Sequence, residues 1–332
     1  MIFEGLPTTP TAEELLDSAF SRAARAGRAK QGVEAQESML QTASNVLGDN
    51  LNHVVTSWPD FDTVDPFYVE LADALVGVDD LRQHLASVSW AARKVNEIGR
   101  EYIGRLPREN PDLARKIRKQ GFARMGSVMN DVASDLQAIS EARDALKQLP
   151  GIETDEPAIV VAGYPNVGKT AFVNAVTNAR NEIAAYPFTT KGVQIGHVER
   201  DHLRYQIVDT PGLLDRPAEE RNEIESQAVS ALTHLADVVI FVVDASETCG
   251  YPMADQQALR SELEATFEVP FVLVCNKADL STDVEADRYM VIPDHGKPTG
   301  AAEGADGVEG PEAVLQAAIE AADYEHELPF EG

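Results

Sequence analysis

Residues 10–150 place apolar side chains at helical spacing and contain no stretch of strand-like alternation. Thr11 and Glu14 form a capping-box pattern, and the apolar residues that follow recur every three or four positions, as on one face of a helix. A second pattern of the same period runs from Met39 to Val55. Both stretches predict helices.

Two longer apolar patterns follow in the same half of the chain. Asp65-Pro66 opens one that continues to Trp90 and predicts a single long helix. Pro111 follows Asn110, as a first helical residue follows an N-cap, and this helix is expected to run to about residue 149. Several long helices without strands predict a helical bundle.

The second half alternates strand-like apolar runs with helical patterns. Runs at 157–162, 236–244 and 270–275 are almost continuously apolar, as buried parallel strands are. Residues 193–198 and 203–208 alternate around a short turn and predict a hairpin, which places one antiparallel strand in a mostly parallel sheet. Residues 311–322 predict a closing helix. We therefore predict a helical bundle over residues 1–153 and an α/β domain over 154–325.

Composition adds a strong negative charge to this picture. The 332 residues carry a formal net charge of −27, and the acidic residues are spread along the whole chain. The charge fits either an acidic interaction surface or a surface adapted to molar intracellular salt. We favour the second, because a dedicated acidic tail would form a block.

No apolar run reaches the ~18 residues of a membrane span. The N-terminus lacks the regions of a signal peptide, and two cysteines make neither a disulfide framework nor a metal set, so we expect a cytoplasmic protein.

One stretch, residues 93–124, opposes the overall charge and is called the basic window below. Four acidic residues stand there against ten basic ones: Arg93, Lys94, Arg100, Arg105, Arg108, Arg115, Lys116, Arg118, Lys119 and Arg124. A shorter basic cluster comprises Arg22, Arg25, Arg28 and Lys30. Such a window suits an anionic partner, and RNA fits best because Arg is well suited to phosphate. The alternative is a solvated face whose cations pair locally with acidic residues.

A glycine-rich loop joins the first predicted strand of the second half to the helix that follows. Its sequence is Gly163-Tyr164-Pro165-Asn166-Val167-Gly168-Lys169-Thr170, which has the G-x-x-x-x-G-K-[ST] pattern of a P-loop. The glycines let backbone N–H groups approach a polyphosphate. Lys169 is expected on the β- and γ-phosphates, and Thr170 is expected to bind Mg²⁺.

Two further segments fit the γ-phosphate side of a nucleotide site. Thr189 and Thr190 follow the P-loop helix, in the position of a loop that binds Mg²⁺ only while the γ-phosphate is present. Asp209-Thr210-Pro211-Gly212 ends a predicted strand. Asp209 can hold Mg²⁺ through water, and the Gly212 N–H can reach the γ-phosphate.

The segment Asn276-Lys277-Ala278-Asp279 follows another predicted strand and determines the base. The Asp279 carboxylate can accept hydrogen bonds from both N1–H and the exocyclic amine of guanine, a donor pair that adenine lacks. Asn276 is expected to tie this loop to the P-loop side, while the Lys277 stem covers the ring. The sequence therefore predicts a guanine-nucleotide-binding protein.

Two departures from the usual pattern of such proteins stand out. The strand predicted at 288–292 is followed by a Gly-, Ala- and acid-rich stretch to residue 310, where a Ser-Ala-Lys-like contact to guanine is expected; we predict a mobile loop there. Leu213 occupies the position where Ras-like proteins keep a water-orienting Gln. Asn166 suggests a substitute, because its amide oxygen could hold K⁺ between the phosphates, as in K⁺-activated GTPases. The alternative role for Asn166 is a loop-closing amide.

Two stretches of the helical half complete the set of distinctive motifs: Asp65-Pro66-Phe67-Tyr68 and Ser89-Trp90-Ala91-Ala92-Arg93-Lys94-Val95. Together with the P-loop they make the chain resemble the nucleolar GTP-binding protein (Nog) branch of the Obg-like GTPases, over essentially its whole length. The resemblance implies GTP hydrolysis with Mg²⁺, and it favours Thr190 over Thr189 as the metal ligand. It also implies a role in large ribosomal subunit biogenesis, with rRNA and ribosomal proteins as partners.

The same resemblance bears on origin and on the competing class of function. The long C-terminal extension of eukaryotic members is missing, which with the acidity suggests an archaeal, halophilic member. The competing hypothesis is a slow GTP-binding regulator that acts through a protein partner in translation or stress control. Neither hypothesis includes DNA or a membrane.

Overall fold

The computed structural model describes residues 2–149, 151–177, 193–200, 202–292 and 307–323, together with the backbone of 182–184. The chain divides into two compact units. The helical unit comprises Met1–Val64 and Leu75–Lys147, and the sheet unit comprises Asp65–Ala74 and Gln148–Gly332. The functional boundary between residues 153 and 154 stays a prediction.

Over residues 2–149 the structure describes six helices: α1 (Ala12–Arg28), α2 (Gly32–Thr56), α3 (Pro66–Val76), α4 (Val78–Gly104), α5 (Pro111–Asp131) and α6 (Ala133–Leu146). The predicted capping box at α1 is present, since the Glu14 N–H donates to Thr11 Oγ1 at 3.2 Å and the Thr11 N–H to Glu14 Oε2 at 2.8 Å. Asn110 caps α5 as expected. The largest buried side chains of the helical unit are aliphatic, which gives it a core of its own: Leu40, Leu47, Leu51, Leu81, Met125, Met129 and Leu136.

Two predicted long helices are each broken in two. The helix expected from Pro66 to Trp90 stops at Gly77, whose φ of +66° is incompatible with a right-handed helix. The helix expected to reach residue 149 stops at Val132, whose φ of −109° and ψ of 12° separate α5 from α6. Both interpretations of one continuous helix were wrong, because apolar spacing persists across a break of a single residue.

Most of helix α3, up to Ala74, belongs to the sheet unit and is fixed there by a buried tyrosine. The Tyr68 hydroxyl donates to the Ile152 carbonyl at 2.6 Å and accepts from the Ile152 N–H at 3.1 Å. Burial raises the pKa of Tyr68 to about 12. The hydroxyl thus satisfies both backbone groups of a buried residue just before the first strand.

Among the residues that the structure describes, the sheet unit contains eight strands in the order β2-β3-β4-β1-β5-β6-β7-β8. They are β1 (Ala158–Ala162), β2 (Glu182–Ala184), β3 (Val193–Arg200), β4 (Leu203–Asp209), β5 (Val238–Asp244), β6 (Phe271–Asn276), β7 (Arg288–Met290) and β8 (Val308–Glu309). Strand β3 is antiparallel to both of its neighbours, and every other adjacent pair is parallel. The predicted fold class, a helical bundle followed by a mostly parallel α/β sheet with one antiparallel strand, is confirmed.

In the described part of this unit, four α-helices accompany the sheet: α7 (Lys169–Val176), α8 (Glu223–Leu235), α9 (Met253–Thr266) and α10 (Pro311–Ala322). The closing helix therefore lies where it was predicted. Strand β8 was not predicted, because it lies in the stretch assigned to a loop. Residues 293–306 lie outside the described part. Within that part, no helix is both long and apolar enough to cross a membrane.

The central strands explain why the candidate site gathers at one edge. Strands β1 and β5 are buried along their whole length, because they lie between other strands and their side chains face the core on both sides. Parallel strands end at the same edge, and the register pairs Val161 with Asp209 and Asp244 with Asn276. The P-loop, the DTPG segment and the NKAD segment all begin there.

Candidate nucleotide-binding site

The P-loop has the backbone of an anion-binding turn. Gly163 and Gly168 have φ values of +131° and +110°, which side-chain-bearing residues rarely adopt. A Cβ on Gly163 would collide with the Val242 carbonyl oxygen, and one on Gly168 with the Asn276 amide. Both glycines are therefore required by conformation and by space. Asn166 has a φ of +63°, and its exposed side chain has no hydrogen-bond partner among the described residues.

Lys169 lies buried beneath this loop. Its Nζ donates to the carbonyl oxygens of Gly163 at 2.6 Å and Tyr164 at 2.9 Å. Burial lowers the pKa of Lys169, while the nearby charges of Asp215 and Asp209 act in the opposite direction. A buried ammonium ion held chiefly by neutral carbonyls gains much from an anion, and a polyphosphate would provide one.

Thr170 and Asp209 together form an oxygen-rich pair. Thr170 Oγ1 donates to Asp209 Oδ2 at 2.5 Å, and Asp209 is fully buried at the end of β4. Its other oxygen, Oδ1, is buried without a hydrogen-bond partner in the described structure. Burial raises the pKa of Asp209, and the Thr170 hydrogen bond opposes that rise. An oxygen-binding divalent cation such as Mg²⁺ would satisfy the unused oxygen, so these residues fit the predicted ligand.

The DTPG segment presents Gly212 with both of its backbone groups engaged. The Gly212 N–H donates to Asp215 Oδ2 at 2.9 Å, and its carbonyl accepts from Arg216 Nη2 at 2.7 Å. Thr210 is buried, and its hydroxyl approaches the Val161 carbonyl at 3.5 Å. Sequence analysis missed Asp215 and Arg216, because one acid and one arginine do not stand out in this chain.

The Leu213 side chain lies in the core. It is fully buried, as is that of Leu214, and the Leu214 carbonyl accepts from the Gly163 N–H at 3.0 Å. These contacts join the DTPG segment to the P-loop. The position that holds a water-orienting Gln in Ras-like proteins is thus used here for packing.

The NKAD segment is joined to the P-loop as expected. Asn276 Nδ2 donates to the Val167 carbonyl at 2.8 Å, across 109 residues of chain. Lys277 has a φ of +55°, and the Ala278 N–H donates to the Met290 carbonyl at 3.2 Å. Asp279 is exposed. The structure therefore brings the phosphate-side loop and the base-side loop together.

Lys277 is held by a residue that sequence analysis missed. Its Nζ donates to Asp244 Oδ2 at 2.6 Å and to Thr248 Oγ1 at 2.9 Å. Asp244 is fully buried and also accepts from Ser246 and from the Cys249 N–H. Burial alone would raise its pKa, but the hydrogen bonds outweigh burial and lower the pKa to about 2. The signal in the sequence that could have identified Asp244 is its position as an acidic residue at the end of a predicted strand, at the sheet edge where the site lies.

Two predicted parts of the site cannot be placed. Thr190, with Thr189, lies outside the described residues, and so do residues 293–306 of the stretch that was predicted to form a mobile loop. At the P-loop, the ring of Tyr164 packs against that of Tyr251 with centroids 4.3 Å apart. Pro165 is half-buried beside it.

The basic window divides into paired and unpaired cations. Lys94, Arg105 and Arg115 form ion pairs with acidic residues of the same stretch. Arg118 is half-buried, donates to Gln36 at 2.9 Å and lies over the Phe122 ring. The remaining six are exposed without an ion pair in the described part of the chain: Arg93, Arg100, Arg108, Lys116, Lys119 and Arg124.

The shorter basic cluster lies at the end of α1. This helix contacts α5, one of the two helices that carry the basic window. Phe20 of α1 stacks on Phe122 of α5, with ring centroids 4.5 Å apart and ring planes 9° from parallel. Arg22, Arg25 and Arg28 are exposed, whereas Lys30 pairs with Glu34 at 3.0 Å. Exposed cations on two touching helices form a broader basic region than either stretch alone.

Comparison with known proteins matches both halves of the chain to family models. A model described as the NOG1 N-terminal helical domain matches residues 3–153. A model described as a 50S ribosome-binding GTPase matches residues 158–277. The second match includes the P-loop, the DTPG segment and the start of the NKAD segment.

Individual relatives agree with these models. An uncharacterised protein of Methanocaldococcus jannaschii is 37% identical over 288 residues, which cover 84% of this chain and 81% of that protein. Nucleolar GTP-binding protein 1 of Drosophila melanogaster is 36% identical over 74% of this chain and 38% of its own length. That of Arabidopsis thaliana is 32% identical over 87% of this chain and 45% of its own length. The chain thus spans less than half the length of these two nucleolar relatives.

Proposed function

This chain belongs to the Nog1-like family of nucleolar GTP-binding proteins, and from that premise we propose that it is a Mg²⁺-dependent GTPase that acts as a switch in the biogenesis of the large ribosomal subunit. One observation carries the proposal. Lys169, the Thr170–Asp209 oxygen pair and the Asn276–Asp279 loop meet at a single sheet edge. Phosphate, cation and base groups are therefore arranged for one guanine nucleotide.

In the proposed mechanism the protein acts mainly by positioning. The backbone from Gly163 to Thr170 surrounds the phosphates, and Lys169 neutralises charge on the β- and γ-phosphate oxygens. Thr170 and, through water, Asp209 would hold Mg²⁺, which when bound would further neutralise that charge. Gly212 would donate its N–H to the γ-phosphate as water attacks in line, and Thr190 is proposed as the further metal ligand of the GTP state. The mechanism relies on positioning, and no described side chain is assigned the role of general base in it.

Base selection tests the first half of the proposal. Wild type should bind GDP and GTP but not ADP or ATP, because only guanine offers Asp279 its donor pair. Asp279→Asn should weaken guanine nucleotide binding and favour xanthine nucleotides, whose extra carbonyl accepts from the new amide. Asp283→Asn, an exposed carboxylate four residues away, is the matched control. Equal binding of adenine and guanine nucleotides by wild type would refute the assignment.

Asn166 is proposed to hold K⁺ beside the phosphates. Its left-handed backbone and unpaired, exposed amide support the idea, because that amide is not used to close the loop. Hydrolysis should be faster in KCl than in NaCl at equal ionic strength, and Asn166→Ala should remove the difference. Equal rates in both salts for wild type would dismiss the role of K⁺, while leaving GTP hydrolysis untouched.

The ribosomal part of the proposal is supported by the family and by the basic region. Six exposed cations of the basic window lack an acidic partner in the described structure, and an rRNA backbone would supply one. Ribosomal proteins are the second class of contact. Sucrose gradients of lysate in high KCl, run with a GTP analogue or with GDP, provide the test. We expect co-migration with large subunits in the analogue and release in GDP.

A second candidate function is favoured by the paired half of the window. Lys94, Arg105 and Arg115 are neutralised along their own helices, as on an ordinary solvated face. On this hypothesis the chain is a slow GTP-binding regulator with a protein partner in translation or stress control. Migration at the top of the gradient in both nucleotides, with crosslinks to protein and none to RNA, would favour it.

The acidic surface is proposed to reflect a cytoplasm rich in salt, in an archaeal, halophilic cell. The acidic residues behind the net charge of −27 are spread along the chain and are not concentrated in one block, which supports adaptation of the whole surface. Unfolding midpoints should rise steeply between dilute and molar KCl as the repulsion is screened. A midpoint independent of salt would contradict this origin for the charge.

A further inference from the structure

The Gly212 amide, which the proposed function assigns to the γ-phosphate, is already bonded to a carboxylate. Asp215 Oδ2 accepts its N–H at 2.9 Å. A carboxylate and a terminal phosphate are both compact oxyanions that accept from backbone N–H groups. One N–H cannot donate fully to both, so a γ-phosphate and Asp215 would compete for it.

The Asp215 charge also acts on a second group that is expected to bind the γ-phosphate, the Lys169 ammonium. Lys169 is buried, and the negative charges that act on its ammonium belong to Asp215 and Asp209. Asp209 already has a role, because it accepts a hydrogen bond from Thr170 and is proposed as a metal ligand. Asp215 has no such role in the proposed mechanism, yet its charge lies near both groups that would recognise the terminal phosphate.

From this arrangement we infer that Asp215 is a specificity-determining residue: in the nucleotide-free protein its carboxylate stands in for the γ-phosphate at the Gly212 amide and so lowers the affinity for GTP relative to GDP. The inference rests on the proposed function of Gly212. GDP has no γ-phosphate and does not need this N–H. GTP must displace the carboxylate first, so its apparent affinity equals its intrinsic affinity multiplied by the fraction of molecules in which the Gly212 N–H is free.

The residues after Asp215 hold it in place. Arg216 Nη2 donates to the Gly212 carbonyl at 2.7 Å and contacts Glu225 Oε1 of α8 at 3.1 Å. Arg221, whose side chain is 4% exposed, donates to the Arg216 carbonyl at 2.6 Å and pairs with Glu262 of α9 at 3.1 Å. The segment is therefore anchored to two helices on the far side of Asp215, and its carboxylate is positioned rather than merely nearby.

Displacement of Asp215 would also couple nucleotide state to this anchored segment. When the γ-phosphate takes the Gly212 N–H, two anions would lie side by side unless Asp215 moves away. Because Arg216 holds the carbonyl of the same Gly212, a movement of Asp215 acts on the Arg216–Arg221 segment and its contacts with α8 and α9. Hydrolysis removes the competitor and lets the carboxylate return.

Nucleotide titrations with the full chain test the inference. Dissociation constants for GDP and for a non-hydrolysable GTP analogue are measured with Mg²⁺ for wild type, Asp215→Ala and Asp215→Asn. Glu219→Ala is the matched control, because it removes one exposed carboxylate four residues away that has no hydrogen bond in the described structure. Thermal unfolding of each variant confirms that it is folded.

We expect Asp215→Ala to bind the analogue about tenfold more tightly than wild type, as removal of one competing charged hydrogen bond would allow, with little change for GDP. Asp215→Asn should bind the analogue with an affinity between those of wild type and Asp215→Ala, since its amide oxygen still accepts the Gly212 N–H but carries no charge. Glu219→Ala should match wild type. An equal change for both nucleotides, or weaker binding of the analogue, would overturn the inference alone. Failure of wild type to prefer guanine over adenine nucleotides would overturn the proposed function, and the inference with it.

Discussion

Asp244 supports the base-side loop, and replacing it with Asn should destabilise the sheet unit in a pH-dependent way. Hydrogen bonds from Lys277, Ser246 and Thr248 overcome the effect of burial and lower its pKa from 3.8 to about 2. A shift of that size corresponds to roughly 2 kcal/mol of stability from the ionised form. The folded pKa lies below the unfolded one, so this stabilisation is complete above about pH 5 and declines as the pH falls toward 2.

The amide of Asn fills the same space but removes the charge and replaces one acceptor with a donor that faces Lys277. We therefore expect the midpoint of thermal unfolding of Asp244→Asn to fall by about 5 °C at pH 7 in the nucleotide-free protein. About half of the charge-dependent part of this deficit should disappear by pH 3, since wild type loses it there as well. Calorimetry at pH 7, 5, 4 and 3 in constant high KCl measures both quantities.

Asp283→Asn is the control for the loss of one negative charge, because Asp283 is exposed and its side chain has no ion pair among the described residues. It should unfold within about 1 °C of wild type at each pH. The reasoning is refuted if Asp244→Asn costs no more than this control at pH 7. It is also refuted if the deficit stays constant down to pH 3, since the stabilisation would then not come from the ionised carboxylate.

Three further predictions concern other contacts. Asp209→Asn should raise the unfolding midpoint of the nucleotide-free protein while weakening Mg²⁺-dependent nucleotide binding. Because burial raises the pKa of Asp209, the ionised carboxylate destabilises the folded protein at neutral pH, and this destabilisation declines in acid, the reverse of Asp244. A lower midpoint at pH 7 would contradict it. Tyr68→Phe should cost about 1–3 kcal/mol in the free energy of unfolding, because the buried N–H and carbonyl of Ile152 lose their partner; chemical denaturation that shows no loss would argue against it. Asn276→Ala should weaken GDP and GTP equally, by about tenfold, because the bond to the Val167 carbonyl is lost; a change confined to one nucleotide would exclude this loop-joining role.

Sequence patterns predicted the fold where local rules are strong and failed where a single residue decides. The strands were predictable because buried parallel strands are continuous apolar runs, and the hairpin because its alternation is regular. The helix breaks were not, since Gly77 and Val132 interrupt the backbone without disturbing the apolar spacing around them. Assignment of residues 65–74 to the sheet unit was equally hidden, because contacts such as those of Tyr68 with Ile152 join residues 84 positions apart in the sequence.

The site shows the same division, and its cause is chemical. Phosphate and base motifs are short, ordered stretches whose residue types have few other uses together, so spacing alone was enough to propose roles for Lys169 and Asp279. Asp215 and Asp244 are single acids among 55, and only their positions against Gly212 and Lys277 set them apart. Both act on a neighbouring functional group rather than on a ligand. Residues of this kind have no motif, since the group that gives them meaning is reached through the fold.

The charges at the site edge also explain why the nucleotide-free protein should respond strongly to its ligand. Burial disfavours the charged forms of both Lys169 and Asp209, and Asp209 Oδ1 has no partner in the described structure. The proposed magnesium–nucleotide complex would supply an anion to the first and a cation to the second at once. Asp244 is the opposite case, because its partners are already in place and its charge is stabilised without ligand. The partners of the base side thus come from the protein itself, whereas the buried charges of the phosphate side would gain partners from a bound nucleotide and metal, as expected if occupancy of the proposed site changes the protein's state.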